Sequence, residues 1–237
     1  INPNSPFSDV RVRKAISFAV DKEAIVNNIL YGYAVVTNQW GVPSSWCYNP
    51  DVEKYDYNPE KAKELLAEAG YPNGFKTKLT TLNSAMEVQV MTAVQGYLAD
   101  IGIDAQMELV ETAHYREITA AGAKPWEGLI LARGRGDADI VTYMPRNFSK
   151  KGLLMVNGLM TTDKIEQLLL DAAAAQDFDT LKEIAFQLQK EIYEENCIIT
   201  QLFVLSMPVA KQPYVRDDAF NKAHANIWGP ENVWLDK

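Results

Sequence analysis

Residues Phe75–Leu109 read FKTKLTTLNSAMEVQVMTAVQGYLADIGIDAQMEL, and this stretch decides the fold class. Phe75 to Leu82 alternates in the manner of a strand. From Glu87 to Ile101 the apolar positions Val90, Met91, Val94, Leu98 and Ile101 recur at helical spacing, and Gly102 follows as a terminator. Ile103, Ala105, Met107 and Leu109 then alternate with polar residues over a second strand. Strand, helix, strand is the unit from which α/β layers are built.

Upstream, Asn58-Pro59-Glu60 is a strong helix start: a capping side chain, proline in the first turn, then an acid. Ala62, Leu65, Leu66 and Ala69 form its buried stripe, and Gly70 with Pro72 ends it. Further back, Asp9 to Val20 carries Val12, Ala15, Ile16, Ala19 and Val20 on one helical face. Asp21 offers an N-cap for a second helix reaching Leu30, which Gly32 closes. Between them and Asn58, from Tyr33 to Tyr57, periodicity disappears. Gly41, Pro43, Pro50 and the aromatics Trp40, Trp46, Tyr48, Tyr55 and Tyr57 mark a long loop. Long loops without structure of their own are usually functional, and this one is a candidate wall of an aromatic-rich ligand site, or else a loop pinned down by its own rings.

Downstream, a short helix is expected near Ala113 to Ala121 and a strand from Gly128 to Ala132. Gly134-Arg135-Gly136-Asp137 breaks the chain at that strand's carboxyl end. Helices follow over Asp163–Ala175 and Thr180–Glu195, then a buried strand over Ile198–Met207. Residues 1–207 are expected to form one lobe. The tail, 208–237, has Pro213, Trp228 and Trp234 as landmarks but no period, and is expected to pack on the lobe or to return toward a first lobe.

The formal net charge of −8 argues against nucleic acid as a partner, and no basic cluster offsets it. The two histidines, His114 and His224, are isolated, so no metal centre with histidine spacing is expected. Neither a G-x-S-x-G elbow nor a G-x-x-x-x-G-K-[ST] phosphate loop occurs, and no catalytic residue is assigned. Gly134-x-Gly136 follows a strand as a dinucleotide loop would, but the third glycine of that fingerprint falls on Asp139, whose charge repels pyrophosphate. A nucleotide-binding enzyme is therefore the weaker alternative. Arg135-Gly136-Asp137 spells an adhesion tripeptide, a match short enough to arise by chance. Cys47 lies in the aromatic loop and Cys197 opens a strand expected to be buried, so the two are expected not to pair.

Two blocks carry a resemblance. Pro6-Phe7-Ser8-Asp9-Val10-Arg11-Val12-Arg13-Lys14-Ala15, followed by Ala19-Val20-Asp21-Lys22-Glu23-Ala24-Ile25, resembles the opening of the second lobe in family 5 solute-binding proteins. Tyr57 to Tyr71 (YNPEKAKELLAEAGY) is similar to the same family's "Y-PEKAK-LL-EAGY" block, and Leu98-Ala99-Asp100-Ile101-Gly102-Ile103 to its "L--IGI" helix end. The resemblance implies an α/β lobe of a type II periplasmic-binding-protein fold, a mixed sheet flanked by helices, closing with a first lobe on a solute. It implies capture for an ABC importer outside the cytoplasmic membrane, as a periplasmic protein or cell-surface lipoprotein, with permease subunits as partners. The receptor is expected to be a monomer without cofactor or catalysis. In that family the first block lies mid-chain, so this chain is expected to lack most of the first lobe and any leader.

In peptide-binding members of the family, an acid in the stretch after the cleft strand meets the ligand's amino terminus. Asp137 is its match. The family's tryptophan there is absent, and Arg133 and Arg135 stand nearby with Gly136. Two solutes are implied: a peptide or peptide-like zwitterion anchored at Asp137, or an anionic or opine-like solute gripped by the two arginines. The expected ligand-binding set is Asp137, Arg135, Arg133, Gly136, Trp46 and Trp40.

Overall fold

The computed structural model describes residues 5–120, 122–123, 127–132, 143–153, 159–206, 210–216, 220–221, 224–228 and 233–236. The chain opens with helix α1 (Val10–Ala19), capped by the Asp9 carboxylate, which accepts from the Arg11 N–H at 2.8 Å. Asp21 caps α2 (Lys22–Asn28) in the same way through the Ala24 N–H. Tyr31 and Gly32, both at positive φ, then turn the chain into β1 (Ala34–Val36), a short strand inside the stretch read as loop. Helix α3 (Pro59–Glu68) starts at Asn58, whose side chain accepts from the Lys61 N–H, and packs along α1.

The central unit follows as read. Strand β2 (Lys76–Leu82), helix α4 (Ala85–Asp100) and strand β3 (Asp104–Val110) form a βαβ crossover, with β2 and β3 parallel from Lys76↔Asp104 to Leu82↔Val110. A Cβ on Gly74 would stand 1.9 Å from the Gly102 carbonyl oxygen, so only glycine lets the turn before β2 lie against the end of α4. After α5 (Thr112–Thr119), the two-residue strand β4 (Leu129–Ile130) pairs parallel with the other side of β2, giving the order β3-β2-β4. One core cluster joins α1, α2, α3 and α4 to this sheet, with Val12, Ala15, Ala62, Leu98 and Ile103 fully or almost fully buried.

A second cluster gathers the aromatic loop and the later helices α6 (Tyr143–Phe148), α7 (Asp163–Ala174) and α8 (Phe178–Gln189) around Met144, Phe148, Ile165 and Leu188. The sequence pattern did not reveal α6, which is under two turns long. Helix α8 ends in a π-helical turn, Lys190–Glu195, where a plain helix was expected. The strand expected over Ile198–Met207 is shorter: only β5 (Phe203–Leu205) pairs, antiparallel with β1, and Ile198–Leu202 runs half-buried without a ladder among the described residues. In the tail, β6 (Val215–Arg216) pairs with β9 (Trp234–Leu235), and β7 (Phe220–Asn221) with β8 (His224–Trp228). Among the described residues no helix is long and apolar enough to cross a membrane. Neither cysteine forms a disulfide: Cys47 is buried in the second core and Cys197 beside Ser17.

Candidate functional site

The strand order places a reversal of winding in the sheet. From β2 the chain crosses to β3 on one side, then returns to β4 on the other. The carboxyl ends of β2 and β4 lie side by side at that reversal, and the crevice outside such ends is where open parallel sheets hold ligands. The described residues brace its rim. The Asn83 N–H donates to the Val110 carbonyl at 2.9 Å, and its side-chain amide donates to Glu111 Oε1 at 3.0 Å, tying the ends of β2 and β3 together. Past β4, the Leu131 N–H donates to the Thr80 carbonyl at 2.9 Å while the Tyr115 hydroxyl of α5 donates to the Leu131 carbonyl at 3.0 Å. Helix α4 starts beside β2's carboxyl end, so the partial positive charge of its first turn faces the same rim.

Arg133, Arg135, Gly136 and Asp137 lie outside the described residues. The chain is braced at Leu131, two residues before Arg133 in sequence. The two tryptophans stand elsewhere. Trp40 is 6% exposed in the second core, its backbone N–H and carbonyl both bonded to the Gln189 side chain and its ring 4.9 Å from that of Tyr143. Trp46 is half-buried with its ring 5.2 Å from that of Phe178. Within the loop, Tyr48, Tyr55 and Tyr57, not the tryptophans, border a groove of about 420 Å³, together with Asp21, Lys54 and Asp56.

A buried polar cluster fixes the loop's far end. Lys22 Nζ donates to the Tyr55 carbonyl at 3.0 Å, and burial pushes the Lys22 ammonium down to about 8. The Tyr55 hydroxyl donates to the Tyr193 carbonyl at 2.9 Å. Arg13 donates to the carbonyls of Asn196, Phe7 and Ser8, and burial lowers its pKa too. These cations are spent on backbone carbonyls. Among the described residues no group of three or more His, Cys, Asp or Glu side chains is placed to hold a metal ion.

The chain matches the bacterial extracellular solute-binding proteins, family 5 Middle, over residues 1–152. It belongs to that family. Heme-binding protein A of Haemophilus influenzae is 36% identical over 135 residues, which are 52% of this chain and 24% of that protein. The dipeptide-binding protein of Escherichia coli is 37% identical over 119 residues, 46% of this chain and 22% of that protein. Among solved structures, the ABC transporter-associated periplasmic binding protein DppA of Helicobacter pylori, in complex with the peptide STSA, superposes with a TM-score of 0.79 at 26% identity. All of this family 5 chain is covered in that comparison, and 46% of the DppA chain. The chain thus spans less than half the length of its solved relative. Its fold is that of periplasmic binding proteins, with sheets flanked by helices.

Proposed function

We propose that this family 5 chain forms one wall of the cleft of an extracytoplasmic solute receptor for an ABC importer, and that the solute sits outside the carboxyl ends of β2 and β4. The reversal of winding between those strands carries the reading, because the Arg133–Asp137 stretch continues directly from β4. Asp137 receives the solute's ammonium. Arg133 and Arg135 meet its carboxylate with forked donors, and Gly136 belongs to the same proposed set. A short peptide or peptide-like zwitterion meets both signs; of the three relatives above, one is named for dipeptides and one is solved in complex with a peptide. Trp40 and Trp46 take packing roles in the second core. The lobe captures and does not catalyse. It acts as a monomer that closes with a first lobe and docks on permease subunits, while 208–237 packs on the lobe or returns toward its partner. An anionic solute held by the arginines alone is the second reading, favoured by the first turn of α4 at the same rim.

Titration of Asp137→Asn and Arg135→Gln variants of the full-length receptor with its co-purified solute separates the two. Loss of one partner from a buried charge pair costs about 2–5 kcal/mol, roughly thirtyfold to a few thousandfold in affinity. Both variants lose that much for a zwitterion; only Arg135→Gln does for an anion. Binding within threefold of wild type for both overturns the site. Asp139→Asn, two residues on, is the control for which acid of the loop acts.

A further inference from the structure

The groove of about 420 Å³ at the aromatic loop borders a buried amine that the solute reading does not use. Lys22 opens α2 and lines that groove with Val20, Val36, Thr37, Tyr48 and Asp56, although the residue is only 6% exposed. Its Nζ donates to the Tyr55 carbonyl at 3.0 Å, and the Tyr55 ring stands 5.8 Å away. That bond uses one of three N–H groups. Lys14, Lys61, Lys150 and Lys164 each pair with a carboxylate, whereas among the described residues Lys22 makes no ion pair. Asp56 acts on it from longer range.

We infer that Lys22 is a covalent acceptor site, whose amine condenses with small uncharged aldehydes that enter the groove. An amine attacks a carbonyl only when neutral. Burial brings the Lys22 ammonium down to about 8, so its neutral fraction at pH 7.4 exceeds that of an ordinary lysine by about two orders of magnitude. In the step, the Nζ lone pair bonds to the carbonyl carbon and the oxygen takes a proton. The carbinolamine then loses that oxygen as water, which carries off both amine hydrogens, and an imine remains. The groove selects the electrophile by charge. Asp21, Glu23 and Asp56 outnumber Lys54 along it, which disfavours anionic reagents such as acyl phosphates and leaves uncharged ones. Space is sufficient. At about 30 Å³ per water the groove is worth roughly 14 waters, more than a three-carbon aldehyde needs. The site is separate from the crevice at β2 and β4, and the inference does not depend on the solute.

The test is reductive trapping in the full-length receptor, with propanal and cyanoborohydride at pH 7.4 and peptide mass mapping at low conversion. Hydride from the cyanoborohydride reduces the imine to a secondary amine and fixes it in place. Lys22 should label at least tenfold faster than the exposed Lys63; labelling at or below the Lys63 rate overturns the inference. A second readout separates an activated amine from one that is merely reachable. As pH rises from 7 to 10 ordinary lysines gain neutral amine while Lys22 saturates above about pH 8, so the Lys22 to Lys63 ratio should fall at least tenfold. A constant ratio also overturns the inference. Lys22→Arg keeps the cation beside Tyr55 and should abolish the adduct on that peptide while Lys63 labels as before; an adduct that persists there contradicts the assignment.

Discussion

Lys22 follows the N-cap of α2 as a residue only 6% exposed, its ammonium making a hydrogen bond to the Tyr55 carbonyl and standing 5.8 Å from the Tyr55 ring. Burial lowers its pKa from 10.5 to about 8, so below about pH 8 the folded state carries the full cost of a buried charge. Between about 8 and 10.5 the unfolded chain binds more protons, so stability rises with pH. The expected gain from pH 7 to 10 is on the order of 2 kcal/mol, read by urea melts, and Lys22→Met should abolish it. A flat wild-type profile over that window would contradict the burial. Cys197 makes a second case: burial raises its pKa, partly offset by the bond to Ser17 Oγ at 3.3 Å. Both cysteines should resist alkylation in the native protein and both should label after denaturation without reductant. Labelling of neither thiol would mean that they pair.

Among the elements, one side chain of α8 ties down the Trp40–Cys47 part of the aromatic loop. Gln189 accepts from the Trp40 N–H and donates to the carbonyls of Trp40 and Cys47, at 3.2, 2.8 and 3.1 Å. Trp40→Ala should destabilise by about 3–5 kcal/mol while leaving solute affinity within threefold; an affinity loss at unchanged stability would return Trp40 to the cleft. Gly74→Ala should cost at least about 2 kcal/mol, since positive φ and the Gly102 carbonyl both oppose a Cβ. Helices with caps were legible in the sequence because the signals are local: Asp21 and Asn58 each bond an amide of the first turn, as their spacing predicts. The Ile198–Leu202 strand was misread because composition reports burial, while pairing depends on a neighbour the sequence window does not contain. Trp40 was ambiguous for a related reason. An aromatic in an aperiodic stretch looks alike whether it lines a cleft or fills a core, and the ring that Trp40 meets, Tyr143, lies far along the chain.

At the scale of the molecule, the βαβ unit of Phe75–Leu109 is the frame that carries the proposed site. The sequence did not show on which side of β2 the strand β4 would pair, and that choice creates the crevice. Family membership is carried by residues 1–152; the solute is not carried by any block of sequence. The central claim is a location: solute outside the carboxyl ends of β2 and β4. Hydrogen exchange of the full-length receptor, with and without its co-purified solute, tests it most directly. The account predicts slowed exchange on binding at Asn83, Ser84 and from Leu131 through Asp137, with the Trp40–Tyr57 loop unchanged. Protection confined to that loop, with the ends of β2 and β4 unaffected, would contradict it.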